Sequence, residues 1–201
     1  MLSAFTAGLL LITVSELGDK TFFIAMLLAM RHSRRLVFVG AIAALAAMTV
    51  LSVLMGQVVS LLPKTPLHIA EIVLFVGFGF KLLYDASQMS SMAVCEDVKE
   101  AQETIEQAGT LVGRRGIVLQ SFALTFMGEW GDRTQFATIA LAAANNPWGV
   151  TAGAIVGHAI CAAIAVVSGR LLAAHLSARL ITGLGGLLFL LFGIIAWVEG
   201  A

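Results

Sequence analysis

The sequence predicts an all-α membrane protein with six transmembrane helices, arranged as two inverted three-helix repeats. Three observations carry that expectation. The chain is 59% hydrophobic and only 12% charged, with a mean hydropathy of +0.96, which lies outside the range of soluble domains. Apolar segments at about 3–30, 36–62, 67–84, 117–144, 149–172 and 180–198 are each near or above the roughly 20 residues that span a bilayer. A hexapeptide occurs twice, as Glu16-Leu17-Gly18-Asp19-Lys20-Thr21 in the first segment and Glu129-Trp130-Gly131-Asp132-Arg133-Thr134 in the fourth.

The two copies are 113 residues apart, and the same offset aligns Gly40-Ala41-Ile42 with Gly153-Ala154-Ile155 and Gly56 with Gly169. After a one-residue slip, an offset of 114 aligns Phe75, Gly79 and Asp85 with Phe189, Gly193 and Glu199. Shared membrane composition does not produce so long a match, so the chain reads as a duplicated unit. The expected division is repeat 1 over 1–85, a cytoplasmic amphipathic linker over 86–116, and repeat 2 over 117–201.

Charge sets the expected topology. Arg31, Arg34 and Arg35 follow segment 1, Lys81, Lys99, Arg114 and Arg115 flank or occupy the 3–4 connection, and Arg170 and Arg179 flank the 5–6 turn. Only Lys64 lies on the opposite side, the other two basic residues belonging to the motifs. The positive-inside rule then puts the odd connections in the cytoplasm and both termini outside. Repeats of three spans each must be inverted, an architecture that recurs in secondary transporters. At 1.5 Å per helical residue all four motif acids fall roughly 16–23 Å above the cytoplasmic boundary, so antiparallel motifs can meet at one depth.

In chain order, the N-terminus lacks a basic region before its apolar run and already carries Glu16 and Asp19, so it is read as a first membrane helix, not a cleaved signal. Segment 2 is rich in Ala and Gly, which suit close helix packing, and Pro63 and Pro66 end it. Glu71 is a solvated helix-end carboxylate or a vestibule group that attracts cations, and Lys81 with Asp85 forms an i,i+4 ion pair. Between Ser87 and Arg115, the spacing of Val94, Val98, Ala101, Ile105, Ala108 and Val112 predicts an amphipathic helix. Its Glu96, Asp97, Glu100, Glu103 and Glu106 make it a solvated linker or a collector of cations. Asn145-Asn146-Pro147 is an external turn. His158 is a packing histidine or a proton relay, and Gly183, Gly185 and Gly186 make a packing surface or a hinge. Cys95 and Cys161 suggest neither a disulfide framework nor a metal knuckle.

Ionisable residues inside spans are costly and mark function. On a continuous helix Glu and Asp at i and i+3 share one face, and the glycine between them admits a neighbouring backbone. Four acids with Lys20 and Arg133 leave a charge of −2, which asks for a divalent cation. The candidate ligands are Glu16, Asp19, Glu129 and Asp132, with oxygens of Thr21, Thr134 and Gln135. Such hard ligands suit Mn²⁺ or Ca²⁺ better than Mg²⁺, which surrenders water reluctantly. Lys20 and Arg133 are expected to pair with carboxylates of the facing repeat. Buried salt bridges that only fix helix packing are an alternative reading, as is an intramembrane hydrolase using paired carboxylates. Nothing calls for a nucleic acid partner or a cofactor.

Ser15-Glu16-Leu17-Gly18-Asp19-Lys20-Thr21-Phe22-Phe23 and Gly128-Glu129-Trp130-Gly131-Asp132-Arg133-Thr134-Gln135 resemble the two defining motifs of uncharacterised protein family 0016, the transmembrane protein 165 and Gdt-one group of manganese and calcium transporters. The resemblance extends to Gly77-Phe78-Gly79 with Lys81 and Tyr84-Asp85, and to Gly157-His158. It implies a secondary transporter that moves Mn²⁺, or Ca²⁺, out of the cytoplasm, with protons as counter-ion and the motif acids as ligands. Thr134 stands where serine is frequent, which keeps the hydroxyl. With no long loop extension or targeting segment, a prokaryotic plasma membrane and manganese export are expected; the oligomeric state is left open.

Overall fold

The computed structural model describes residues 1–89, 93–109, 111, 113–173 and 177–200. Expectations placed on Val94, Cys95, Val112, Gly169, Arg170, Glu199 and Ala201 fall outside the described residues or side chains. The described residues form helices only: α1 (Leu2–Glu16), α2 (Lys20–Arg31), α3 (Arg34–Val59), α4 (Lys64–Gln88), α5 (Ala93–Gln107), α6 (Gly113–Glu129), α7 (Arg133–Ala144), α8 (Pro147–Ala173) and α9 (Ala178–Gly200). Four stretches, Arg34–Val59, Lys64–Gln88, Pro147–Ser168 and Arg179–Val198, are long and apolar enough to cross a membrane, and α1 is apolar but shorter.

The expected continuous helices over 3–30 and 117–144 are each divided at the hexapeptide. Gly18 has φ +77° and Gly131 φ +82°, left-handed conformations that end a helix and that glycine adopts without steric penalty. Asp19 and Asp132 then begin the next helices from extended backbone, as short polar N-cap residues do. These glycines are needed for conformation and not for close approach. A Cβ on Gly131 would meet nothing within 4 Å, and one on Gly18 only Ile181 Cδ1 at 3.7 Å.

Close approach is decided elsewhere. A Cβ on Gly40 of α3 would lie 2.5 Å from Val118 O and 3.1 Å from Phe122 N of α6, and one on Gly153 of α8 would strike Phe5 O and lie 2.9 Å from Leu9 N of α1. Phe5 and Leu9 precede Val118 and Phe122 by the same 113 residues that separate Gly40 from Gly153, so one contact is made twice. Backbone approach of this kind is how helices gain van der Waals contact in lipid, where no hydrophobic drive brings them together. α4 and α9 run antiparallel, with Val76, Gly79 and Leu83 against Gly193, Leu190 and Gly186 in turn. The equivalent rings of Phe75 and Phe189 meet at 5.8 Å. The glycines of α9 are thus a packing surface on α4. α8 runs parallel to α1, with Gly8 on Val150 and Gly157 on Ile12. α3 runs parallel to α7, with Met48 on Gln135 and Gln57 on Ala142.

The connecting region also departs from expectation. α4 continues to Gln88, so the amphipathic helix is only α5. It is not a solvated linker: Ala101 and Ile105 are buried in a cluster with Phe22, Phe23 and Met26 of α2, and a fully buried isoleucine contributes about 1.5–3 kcal/mol. Ala108 is exposed. Lys20 and Arg31 tie α5 down through Glu100 at 2.7 Å and Glu106 at 4.0 Å. Among the described residues Lys81 and Asp85 form no ion pair within 4.0 Å, the expected i,i+4 bridge being absent from those formed. Glu71 is buried and not a solvated helix-end group. At the Asn145-Asn146-Pro147 turn, Asn146 Oδ1 accepts from Gly149 N at 2.9 Å and so caps α8.

Candidate functional site

Glu16 and Glu129 close α1 and α6, while Asp19 and Asp132 open α2 and α7, so each motif presents its carboxylates from the two sides of a helix break. One carboxylate oxygen from each of Glu16, Asp19 and Glu129 lies within 4.8 Å of the other two. Oxygens on opposite sides of an ion that binds them at roughly 2.3–2.6 Å stand about 5 Å apart, so the spacing suits the inner sphere of a hard divalent cation. Glu16 and Glu129 are 3% and 2% exposed. Two carboxylates so buried stay ionised only beside a counter-charge and otherwise take up protons.

Asp132 is not in that three-residue group. Its Oδ2 accepts from Thr134 N at 3.4 Å and from Thr134 Oγ1 at 3.1 Å, capping α7. Thr134 Oγ1 also lies 3.4 Å from Glu129 Oε2, which places its hydroxyl between two candidate ligands. Thr21 lines a small cavity with Glu16. Gln135 is engaged otherwise: its Oε1 accepts from Gly131 N at 2.7 Å and its Nε2 meets Met48 Sδ at 3.3 Å. It braces the second break.

The two basic residues diverge. Arg133 Nη2 donates to Asp19 Oδ1 at 3.1 Å, bridging the motifs. Lys20, expected to do the reverse, donates to Glu100 of α5 at 2.7 Å. Both partners in that pair reach water, with side chains 36% and 62% exposed, so lysine keeps part of the hydration its compact ammonium favours. Four ionised motif acids with Arg133 alone would leave three uncompensated negative charges, one more than expected.

Beside Asp19 a cavity of about 250 Å³ lies under α5, lined by Asp19, Lys20, Arg133, Asp97, Glu100 and Gly185 among others. Partial burial pushes the Asp97 carboxyl up from its ordinary value, and neighbouring Glu100 and Glu96 push the same way. This acidic lining comes from α5, whose charges read as a solvated linker or a collector of cations.

Seven buried polar atoms around the carboxylates lack a hydrogen-bond partner: Thr13 Oγ1, Ser15 Oγ, Glu16 Oε1, Thr125 Oγ1, Glu129 Oε1, Arg133 Nε and His158 Nδ1. Native proteins rarely leave such atoms unsatisfied, and a cation among the clustered carboxylates would satisfy the two glutamate oxygens. His158 lines two small cavities, one with Glu16, Thr21, Thr125 and Cys161, the other with Glu129, Thr134 and Gln135. Thr49, Ser52 and Thr138 also line the second. Thr49 and Ser52 donate to the carbonyls of Leu45 and Met48, both at 2.8 Å, which leaves their oxygen lone pairs to accept. Sequence reasoning missed these hydroxyls; the available signal was their presence in spans otherwise poor in polar side chains.

The sequence of the family described as "Divalent cation/proton antiporter GDT1" matches residues 4–90 and 117–201, both motifs included. The chain belongs to the GDT1 family. A GDT1-like protein of Synechocystis sp. is 59% identical over 201 residues, covering 98% of both chains. "GDT1-like protein 2, chloroplastic" of Oryza sativa subsp. japonica is 44% identical over 96% of this chain and 60% of its own length. "Protein PAM71-homolog, chloroplastic" of Arabidopsis thaliana is 41% identical over 94% of this chain and 58% of its own. No solved structure matches the chain. Membership of the GDT1 family makes this a membrane transporter that exchanges a divalent cation for protons, and not an enzyme. The hydrolase reading falls with that.

Proposed function

We propose that the chain exports Mn²⁺ from the cytoplasm in exchange for protons, through one site built by both motifs from Glu16, Asp19, Glu129 and Asp132. The carrying observation is that carboxylates 113 residues apart in sequence converge to within 4.8 Å. Thr21 and Thr134 supply neutral oxygens, Gln135 and Arg133 hold the motifs in place, and His158 passes protons between the two small cavities it lines. Ca²⁺ accepts the same ligands but takes 6–8 oxygens, and three clustered carboxylates with two hydroxyls serve the smaller Mn²⁺ better.

In this reading α1 with α2, and α6 with α7, are single spans broken near mid-membrane, which with α3, α4, α8 and α9 makes six. Residues 1–85 and 117–201 are inverted repeats and 86–116 joins them in the cytoplasm. Inversion requires the equivalent helices α4 and α9 to run antiparallel, and their contacts follow that order. The nine-to-one basic asymmetry puts both termini outside, in a prokaryotic plasma membrane. Broken helices meeting at the midplane are how secondary transporters present backbone and carboxylates to an ion.

Replacing one divalent ion by two protons leaves the charge of the site unchanged whatever its fixed charge, and an exchange of one for two, electroneutral overall, is the stoichiometry proposed. Transport into inside-out vesicles, comparing Mn²⁺, Ca²⁺ and Mg²⁺ with and without a proton gradient, tests the reading. Mn²⁺ uptake should depend on an acidic interior and exceed that of the other two. Uptake indifferent to the gradient would refute it.

A further inference from the structure

We propose that Glu71, with His68 one turn before it on α4, is the carboxylate through which the divalent cation leaves the site toward the face away from α5. The proposal rests on the inverted-repeat reading above. Glu71 is only 8% exposed within a helix long and apolar enough to span, and an ionisable group placed so has a functional reason by default. It lines a cavity of about 560 Å³ with Thr6, Phe75, Leu141, Asn145 and Phe192, at the opposite end of the bundle from α5. His68 Nδ1 stands 3.9 Å from Glu71 Oε2.

Exchange of the repeats gives this residue its place. The cavity under α5 forms where Leu17, Gly18 and Asp19 face Ile181, Thr182 and Gly185 of α9. The counterparts of the first three are Trp130, Gly131 and Asp132, and the residues 114 positions before the second three are Leu67, His68 and Glu71. The packing is asymmetric in the matching sense: α9 lies on α1 and α4 on α7, whereas the exchanged pairings of α4 on α6 and α9 on α2 are not made to the same extent. The contact between α4 and α9 maps onto itself. The pair therefore sits to one side of a position that has an equivalent on the other, and moving there would bring His68 and Glu71 to Asp132 while opening a passage at the far face. At the α5 end that helix adds Asp97 and Glu100 to the lining beside Asp19, but at the far end no such helix exists among the described residues. Glu71, where the other half has Gly185, supplies the charge that the far passage would otherwise lack.

The test is Mn²⁺ transport by the full-length chain measured separately from each face, using vesicles of both orientations. Glu71→Gln should raise the apparent KM for Mn²⁺ presented at the far face about tenfold, the scale at which a supporting partner changes metal affinity. The KM at the α5 face should stay unchanged. Equal effects at both faces, or none, overturn the proposal. Should the amide variant fail to reach the membrane, Glu71→Asp serves, with a smaller shift confined to the same face. Glu129→Gln run in parallel separates the two readings: if it transports normally, the shared motif site is wrong, whereas its loss of transport beside a face-independent Glu71→Gln removes only the proposal made here.

Discussion

Arg133 Nη2 lies 3.1 Å from Asp19 Oδ1, joining the cation of the second motif to a carboxylate of the first. The side chains are 28% and 22% exposed, so the pair lies between a surface bridge and a fully buried one. Arg133→Gln should lower stability by about 1–3 kcal/mol on that scale. Saturating Mn²⁺ should restore part of it by replacing the lost positive charge and binding only the folded state. Thermal melts in detergent with and without Mn²⁺ measure both effects. A variant whose deficit is untouched by Mn²⁺ would separate the arginine from the ion site.

The motif acids are predicted to differ in binding but not in transport. Glu16→Gln, Asp19→Asn and Glu129→Gln each remove a member of the three-carboxylate group and should weaken Mn²⁺ binding by about 10- to 100-fold. Asp132→Asn, whose carboxylate is engaged with Thr134, should bind Mn²⁺ more nearly like the parent, yet all four should abolish export. Calorimetry and vesicle flux read the two properties. Export that survives amidation of either motif would end the idea of a shared site.

The helix breaks predict a substitution pattern at Gly131. A methyl group there meets nothing within 4 Å, but φ is +82°. Gly131→Ala should therefore cost about 1–2 kcal/mol through backbone strain alone, and Gly131→Asn less, because asparagine visits the left-handed region through local hydrogen bonds. Equal melting temperatures for the alanine and asparagine variants would show that conformation is not what the glycine supplies.

The tie between α5 and the first motif should be weak and local. Lys20 and Glu100 are 36% and 62% exposed, so Glu100→Gln should cost no more than about 1 kcal/mol. It should nevertheless speed hydrogen exchange over Ala93–Gln107. Asp97 gives this helix a pH dependence of defined sign. Its value is raised by burial, so the neutral acid is favoured when α5 is docked, and its contribution to docking is lost as pH rises through that raised value. Protection of α5 should grow on acidification toward the carboxylate range, and Asp97→Asn should flatten the response. A response unchanged in that variant would assign it to other groups.

Electroneutral exchange carries no current. Under symmetrical pH a membrane potential alone should move no Mn²⁺ in reconstituted vesicles, and a transport current that reverses with voltage would exclude the one-for-two stoichiometry.

The six apolar segments and the doubled motif with its four acids were legible in the sequence alone, although two of the segments fold as helix pairs broken at the motif. They were legible because bilayer-length apolar runs and paired carboxylates within them are local signals that need no partner to be read. Membership of a cation-transporting family followed from the same motifs. The tertiary structure decided what a helical period hides. A glycine between glutamate and aspartate permits a left-handed turn but does not compel one, and the breaks are held by groups that local sequence cannot assign, such as Gln135 Oε1 on Gly131 N. Lys20 and Arg133 occupy equivalent motif positions, yet one turns to α5 and the other to Asp19, because α5 packs on α2, which begins with Lys20. Glu71 read as a solvated helix-end group or a vestibule carboxylate, and only the fold buries it in a cavity wall. In each case the cost of burying a charge is settled by whichever neighbours the fold brings to it, and those neighbours are distant in the chain.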